Sequence, residues 1–161
     1  MAWSASKVFD QLFLDALENT AAFDLGGTPD TFKCSLWDND ITPDRTVSAA
    51  NSAFGAGQWV SAGNEVFEAG QWATGGVALT TPDLSIPAGG TIMFDAADTS
   101  SGSAADLANV YGIMIYDDTL AAPVADQGVC FNYLGGANSV VNGSFSVVYA
   151  APNSGIFAIT T

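Results

Sequence analysis

The sequence has no histidine, three basic residues and two cysteines in 161 positions. Without histidine there is no Ser-His-Asp triad, no Cys-His pair and no imidazole to ligate a metal. Three Lys and Arg against 17 Asp and Glu give a formal charge of −14. Such a surface repels phosphate backbones and anionic headgroups, so neither nucleic acid nor a membrane surface is an expected partner. Cys34 and Cys130 form no CxxC pair, which removes zinc and dithiol redox motifs; they read as buried free thiols rather than a disulfide. No run reaches the roughly 18 apolar residues of a membrane span, and Met1 to Lys7 lacks the basic start of a secretory signal.

Charge of either sign is scarce. Charged residues make up 12% of the chain, about half the usual share in soluble domains. A 48% hydrophobic content excludes a disordered acidic tail. The length suits a single domain over residues 1–161, read as a helical docking segment (1–20) ahead of a β-sandwich body (30–161). A fold of this mass exposes on the order of 7,500 Å². Twenty charged side chains cover that area thinly, as in a subunit that packs against others.

The patterning is mainly β. Ser6 offers a cap to an amphipathic N-terminal helix in which Phe9, Leu12, Phe13, Ala16 and Leu17 recur at helical spacing, and Asn19 and Thr20 close it. Phe32, Cys34 and Leu36 alternate with Lys33 and Ser35 as in a half-buried strand. Thr42-Pro43-Asp44 predicts a short second helix running to about Ala53. Short strands follow at 77–79, 84–86, 92–94, 110–116, 129–133, 145–149 and 156–159. Turn signals stand at Pro87 to Gly90, Gly135-Gly136 and Asn142-Gly143. The whole predicts an antiparallel β-sandwich, with a jelly roll as one form of it. Thr99 to Ala105 reads as a small-residue loop, a mobile or partner-contacting excursion.

Chemistry-bearing clusters are few. Asp38, Asp40 and Asp44 form an oxygen-rich stretch that could hold Ca²⁺, although the glycine and distal glutamate of an EF-hand loop are missing. The competing reading is an Asx-turn leading into a helix. The other acids are dispersed, and no GxSxG, P-loop or dinucleotide fingerprint is present, so neither an enzyme nor a cofactor is expected. Ala56-Gly57-Gln58-Trp59 recurs as Ala69-Gly70-Gln71-Trp72. Its tryptophans read as core anchors, a paired aromatic platform or an intersubunit contact. Large apolar groups in a charge-poor chain make Trp3, Phe9, Leu12, Phe13, Trp59 and Trp72 the interface candidates.

The segments Lys7-Val8-Phe9-Asp10-Gln11-Leu12, Phe32-Lys33-Cys34-Ser35-Leu36-Trp37-Asp38-Asn39-Asp40-Ile41-Thr42-Pro43-Asp44, Gly57-Gln58-Trp59-Val60-Ser61-Ala62-Gly63-Asn64-Glu65-Val66 and Val124-Ala125-Asp126-Gln127-Gly128-Val129-Cys130-Phe131 resemble, in that order, small virion proteins of tailed phages infecting actinobacteria. The resemblance implies a capsid decoration or minor capsid protein, made in the host cytoplasm and bound to the outer capsid surface. Its implied partners are the major capsid protein and other copies of itself, as a trimer or another cyclic cluster. A minor tail protein is the alternative within that class. A carbohydrate-binding β-sandwich using Trp59, Trp72 and an ion near Asp38 to Asp44 is the alternative outside it. No functional residues carry over, because the family offers no catalytic motif. On this reading Trp3 to Leu17 docks onto the shell or a sister subunit, and the β body folds without it.

Overall fold

Two stretches of the chain, Phe32–Trp37 and the run from Gly112 to Tyr116, are buried almost throughout, and the architecture is built around them. The structure, a computed structural model, describes residues 3–26, 29–150 and 155–160. It is mainly β, antiparallel and sandwich-like. In chain order the elements are β1 (Lys7–Val8), α1 (Asp10–Glu18), β2 (Phe32–Trp37), α2 (Ala49–Ser52), α3 (Ser61–Asn64), β3 (Glu65–Val66), β4 (Val77–Ala78), β5 (Thr80–Ala88), β6 (Thr91–Ala97), β7 (Thr99–Ser100), β8 (Ala105–Asp117), β9 (Gly128–Gly143), β10 (Ser146–Val147) and β11 (Phe157–Thr160). Six strands form the main sheet in the order β1-β9-β8-β2-β3, with β4 also on β2; β11-β6-β5 and β10-β7 form two smaller sheets.

The centre of the main sheet, formed by β2, Gly112–Asp117 of β8 and Gly128–Phe131 of β9, is buried on both faces, whereas the far halves of β8 and β9 keep one face exposed. On one face Phe32, Cys34 and Leu36 of β2 join Ile113 and Ile115 of β8 and Val129 and Cys130 of β9. The smaller sheets cover this face with Phe94, Val147 and their neighbours Tyr149 and Ile156; the Phe32 and Phe94 rings meet edge-on at 5.4 Å. On the other face Trp37, Met114, Tyr116 and Phe131 pack against Trp3, Phe9, Ile41 and Trp59. A sheet covered on both sides loses the polar alternation of a half-solvated one. The strand predicted to be half-buried is therefore buried throughout its length except at Lys33. Ser35 is satisfied inside: its hydroxyl donates to the Met114 carbonyl (3.2 Å) and accepts the Trp37 indole N–H (2.9 Å).

Several expectations are corrected by backbone pairing. The N-terminal helix starts at Asp10, not after Ser6. Lys7 and Val8 pair with Phe131 and Cys130, and the Phe9 N–H donates to the Val129 carbonyl, so the chain stays extended to Phe9. Ser6 instead accepts the Tyr133 N–H through its hydroxyl. Asn19 ends the helix in the left-handed region (φ 54), as expected of an Asn C-cap. The second helix shrinks to α2, because Asp44 and Thr46 close a local turn first. The loop expected at Thr99 to Ala105 begins as β7: Thr99 pairs with Val147 and its hydroxyl bonds the Tyr149 hydroxyl at 3.0 Å. Gly135 and Gly136 adopt positive φ inside β9, at a bulge where its register with β8 shifts. The Asn138 amide fills that bulge by donating to the carbonyls of Gly136, Val110 and Leu134.

Candidate functional site

Five of the six interface candidates are built into the chain's own core. Trp3, Phe9, Leu12, Trp59 and Trp72 are each at most 2% exposed, while Phe13 is half-buried. Trp3 and Phe9 each meet Trp59 and Phe131 at ring-centroid distances of 5.3–6.1 Å, and the Trp3 indole N–H donates to the Asp38 carbonyl at 2.6 Å. The opening segment is thus part of the cover over the second sheet face. This corrects the picture of a detachable docking arm: removing residues 2–17 strips Trp3 and Phe9 from the core. What remains outward on α1 is Leu14 and, at 87% exposure, Leu17.

The two tryptophans of the repeated Ala-Gly-Gln-Trp string share a turn but not an environment. In each copy the residue four before the tryptophan donates its N–H to the tryptophan carbonyl at 2.8 Å (Gly55 to Trp59, Glu68 to Trp72). Gly57 and Gly70 supply the positive φ that the turn needs. Trp59 then enters the core on one face of the main sheet and Trp72 on the other. The Trp72 indole donates to the Cys34 carbonyl at 3.1 Å. A paired platform for stacking sugars cannot form from rings that are fully buried on opposite faces.

The aspartate stretch is likewise used locally. One Asp38 carboxylate oxygen accepts the Asp40 N–H, and one from Asp44 accepts both the N–H and the hydroxyl of Thr46. Burial pushes the Asp38 carboxyl upward, with the Asp40 charge adding to it and the Asp40 N–H opposing. The Thr46 donors hold exposed Asp44 below its ordinary value. Among the described residues no group of three His, Cys, Asp or Glu could hold a metal, so the three aspartates are not gathered into a Ca²⁺ site.

Cys34 and Cys130 are free and buried. Both pair with Ile115 from opposite sides, which sets them two strand spacings apart, about 10 Å, well beyond disulfide reach. Burial pushes the Cys34 thiol up to about 12 and that of Cys130 still higher, so neither is a thiolate near neutrality.

Residue reasoning missed two features. One is the burial of two acids, Asp15 and Asp117; Asp117-Asp118 reads from the sequence as an acidic pair before a turn, which does not foretell that Asp117 is buried. Burial raises the Asp15 carboxyl, but three donors outweigh this and leave it lowered: Gln127 (2.8 Å), Gln11 (2.7 Å) and Thr20 (3.0 Å). Asp117, fully buried at the end of β8, accepts the N–H groups of Thr119 and Leu120. Burial and the neighbouring Asp30 carboxylate push it up to about 6. The other is a cleft of about 440 Å³ where β1 and β11, each the last strand of its sheet, face one another. Val8, Phe13, Phe157 and Ile159 line it, with Lys7 and Arg45 among its walls. No helix among the described residues is long and apolar enough to cross a membrane. Compared with known protein families, curated proteins and solved structures, the chain matches none.

Proposed function

We propose that this chain is a non-enzymatic structural protein of a tailed-phage virion, a decoration or minor capsid protein on the outer surface of the shell. It binds the major capsid protein and stabilises the assembled state by adding contact area that exists only there. Attachment as a trimer or another cyclic cluster multiplies individually weak contacts. The observation that carries the reading is the apolar surface left outside the two cores. Leu17, Ile86, Val141 and Val148 stand more than 70% exposed on a chain with few charges, nearly all of one sign. Apolar groups on such a surface suit contact with a neutral lattice, while the remaining acids keep free subunits apart. The ordered segment resemblance supplies the phage context, and an outer position keeps a charge of −14 away from packaged DNA.

The deciding measurement is copy number in purified virions of the encoding phage, by quantitative mass spectrometry with antibody labelling in the microscope. Hundreds of copies on the head support the reading. A handful on the tail identify the minor tail alternative, and absence from particles overturns both. The carbohydrate alternative lacks the two tryptophans on which it rested.

A further inference from the structure

The cleft between β1 and β11 joins two features found together at no other described place on the chain. The first is a pair of open strand edges. β1 ends the main sheet beyond β9, and β11 ends the three-stranded sheet beyond β6, so neither outer edge has a strand partner among the described residues. Open edges present backbone N–H and C=O groups that another extended chain can pair with. The second is positive charge. Lys7 and Arg45 are two of the three cations in a chain of net charge −14; both line this cleft and an adjoining hollow of about 260 Å³, where one carboxylate each, Asp10 and Asp44, stands against the two cations.

Those cations are held there by the backbone. Lys7 is fixed by its pairing with Phe131, and the Arg45 carbonyl accepts the Asp10 N–H at the start of α1. The third cation, Lys33, is bound to Asp118 at 2.8 Å. By contrast Lys7 has no ion-pair partner among the described residues, and Arg45 reaches Asp10 only at 3.6 Å with both side chains half exposed. A pair that open is weak and easily exchanged. The cleft interior is apolar along Val8, Phe13, Phe157 and Ile159 and polar at Asn132. Its volume lies in the range of about 300–1,000 Å³ usual for ligand sites.

We propose that this cleft binds an extended peptide segment of a partner protein by strand addition, and that the segment alternates apolar residues with carboxylates. Apolar side chains enter between Phe13 and Phe157, the peptide backbone pairs with the outer edge of β1 or β11, and its carboxylates meet Lys7 and Arg45. The inference stands apart from the virion reading, since it concerns only what the cleft recognises.

The test uses the full chain and three fluorescein-labelled peptides: Val-Glu-Val-Glu-Val, its lysine counterpart Val-Lys-Val-Lys-Val, and Val-Glu-Pro-Glu-Val, whose proline removes a backbone donor. Anisotropy titrations at low salt are expected to give saturable binding of the first peptide. The other two should bind at least tenfold more weakly. Lys7→Glu and Arg45→Glu, both at solvent-accessible positions and checked for folding by circular dichroism, should each weaken the first peptide at least tenfold. Hydrogen exchange should slow at residues 7–8 or 157–160 when it is bound. Equal binding of all three peptides, no binding up to millimolar concentration, or indifference to both charge reversals overturns the proposal. So does binding of dodecanoate in place of every peptide, which would make the cleft an amphiphile site. A dimer in sedimentation that dissociates with Lys7→Glu would give the cleft to a second copy and equally overturn it.

Discussion

Asp117→Asn is expected to stabilise the protein near pH 8, to do so by about a third as much near pH 4.5, and to leave it almost unchanged near pH 3. Asp117 is fully buried; one carboxylate oxygen accepts N–H groups from Thr119 (2.9 Å) and Leu120 (3.0 Å), and the other has no donor. Its nearest acidic neighbour, Asp30, has its own carboxylate engaged with the Asp24 N–H at 2.6 Å. Burial first, and the Asp30 charge second, raise the Asp117 carboxyl from 3.8 to about 6 against the pull of the two N–H groups. A folded-state value above the unfolded one means that the native state binds the extra proton between these pH values. The associated stability is fully present below about 3.8 and lost as pH rises through about 6. At about 1.4 kcal/mol per unit, and allowing for partial screening, the ionised form costs about 1–3 kcal/mol. Asparagine keeps the oxygen that serves Thr119 and Leu120, carries no charge, and turns an N–H toward Asp30.

Urea unfolding followed by tryptophan fluorescence at pH 4.5, 6 and 8 reads the effect, because all four tryptophans are buried. Subtracting variant from parent at each pH cancels the other acids. The expected difference grows to about 1–3 kcal/mol in favour of the variant at pH 8. A difference constant across the range, or a variant less stable at pH 8, refutes the assignment of a buried, strained carboxylate.

Three further outcomes follow from the packing. Trp59→Ala removes the ring shared by Trp3, Phe9, Trp37 and Phe131 and should cost about 3–5 kcal/mol in denaturant unfolding. Gly76→Ala, at φ +90 with its added methyl driven into the Cys34 carbonyl, should cost more than about 1 kcal/mol, beyond a simple left-handed penalty. Gln127→Ala removes the first of the donors that hold Asp15 down; an NMR titration should show its carboxyl rising. The acid-side loss of stability carried by Asp15, which is complete only when pH falls through its lowered folded value, should then be smaller and complete at higher pH.

How much of this was readable in the sequence differs by element. The strand at 32–36 announces itself by alternation and those at 92–94, 110–116 and 129–133 by dense apolar and aromatic residues, and each lies within an observed strand. The period-two signal failed at Ser35, since a lone hydroxyl between apolar neighbours looks solvated until its two partners, 2 and 79 positions away, are known. Ser6 failed as a cap for a similar reason: pairing with β9, more than 120 residues later, outweighs a local capping preference. Asn19 succeeded because a left-handed C-cap is settled by the residue itself. The cleft carried the weakest signal. Lys7, Arg45 and Phe157 are distant in sequence, and only the meeting of two sheet edges brings them together.

The burial of both faces at the centre of the main sheet decides where its large aromatic groups can act. A half-solvated sheet could present an open face, with aromatic side chains standing on it. Here the tryptophans that looked adhesive hold the two covers onto the sheet, and their substitution would report on folding before it reported on any partner. Recognition is left to features that burial does not consume: unpaired strand edges, the exposed face of the far halves of β8 and β9, the outward side of α1, and the few places where a cation interrupts a negative surface. Edges and cations coincide at β1 and β11. In a chain with three basic residues, two on one cleft make it the place where an acidic extended segment meets least repulsion and finds backbone groups to pair with.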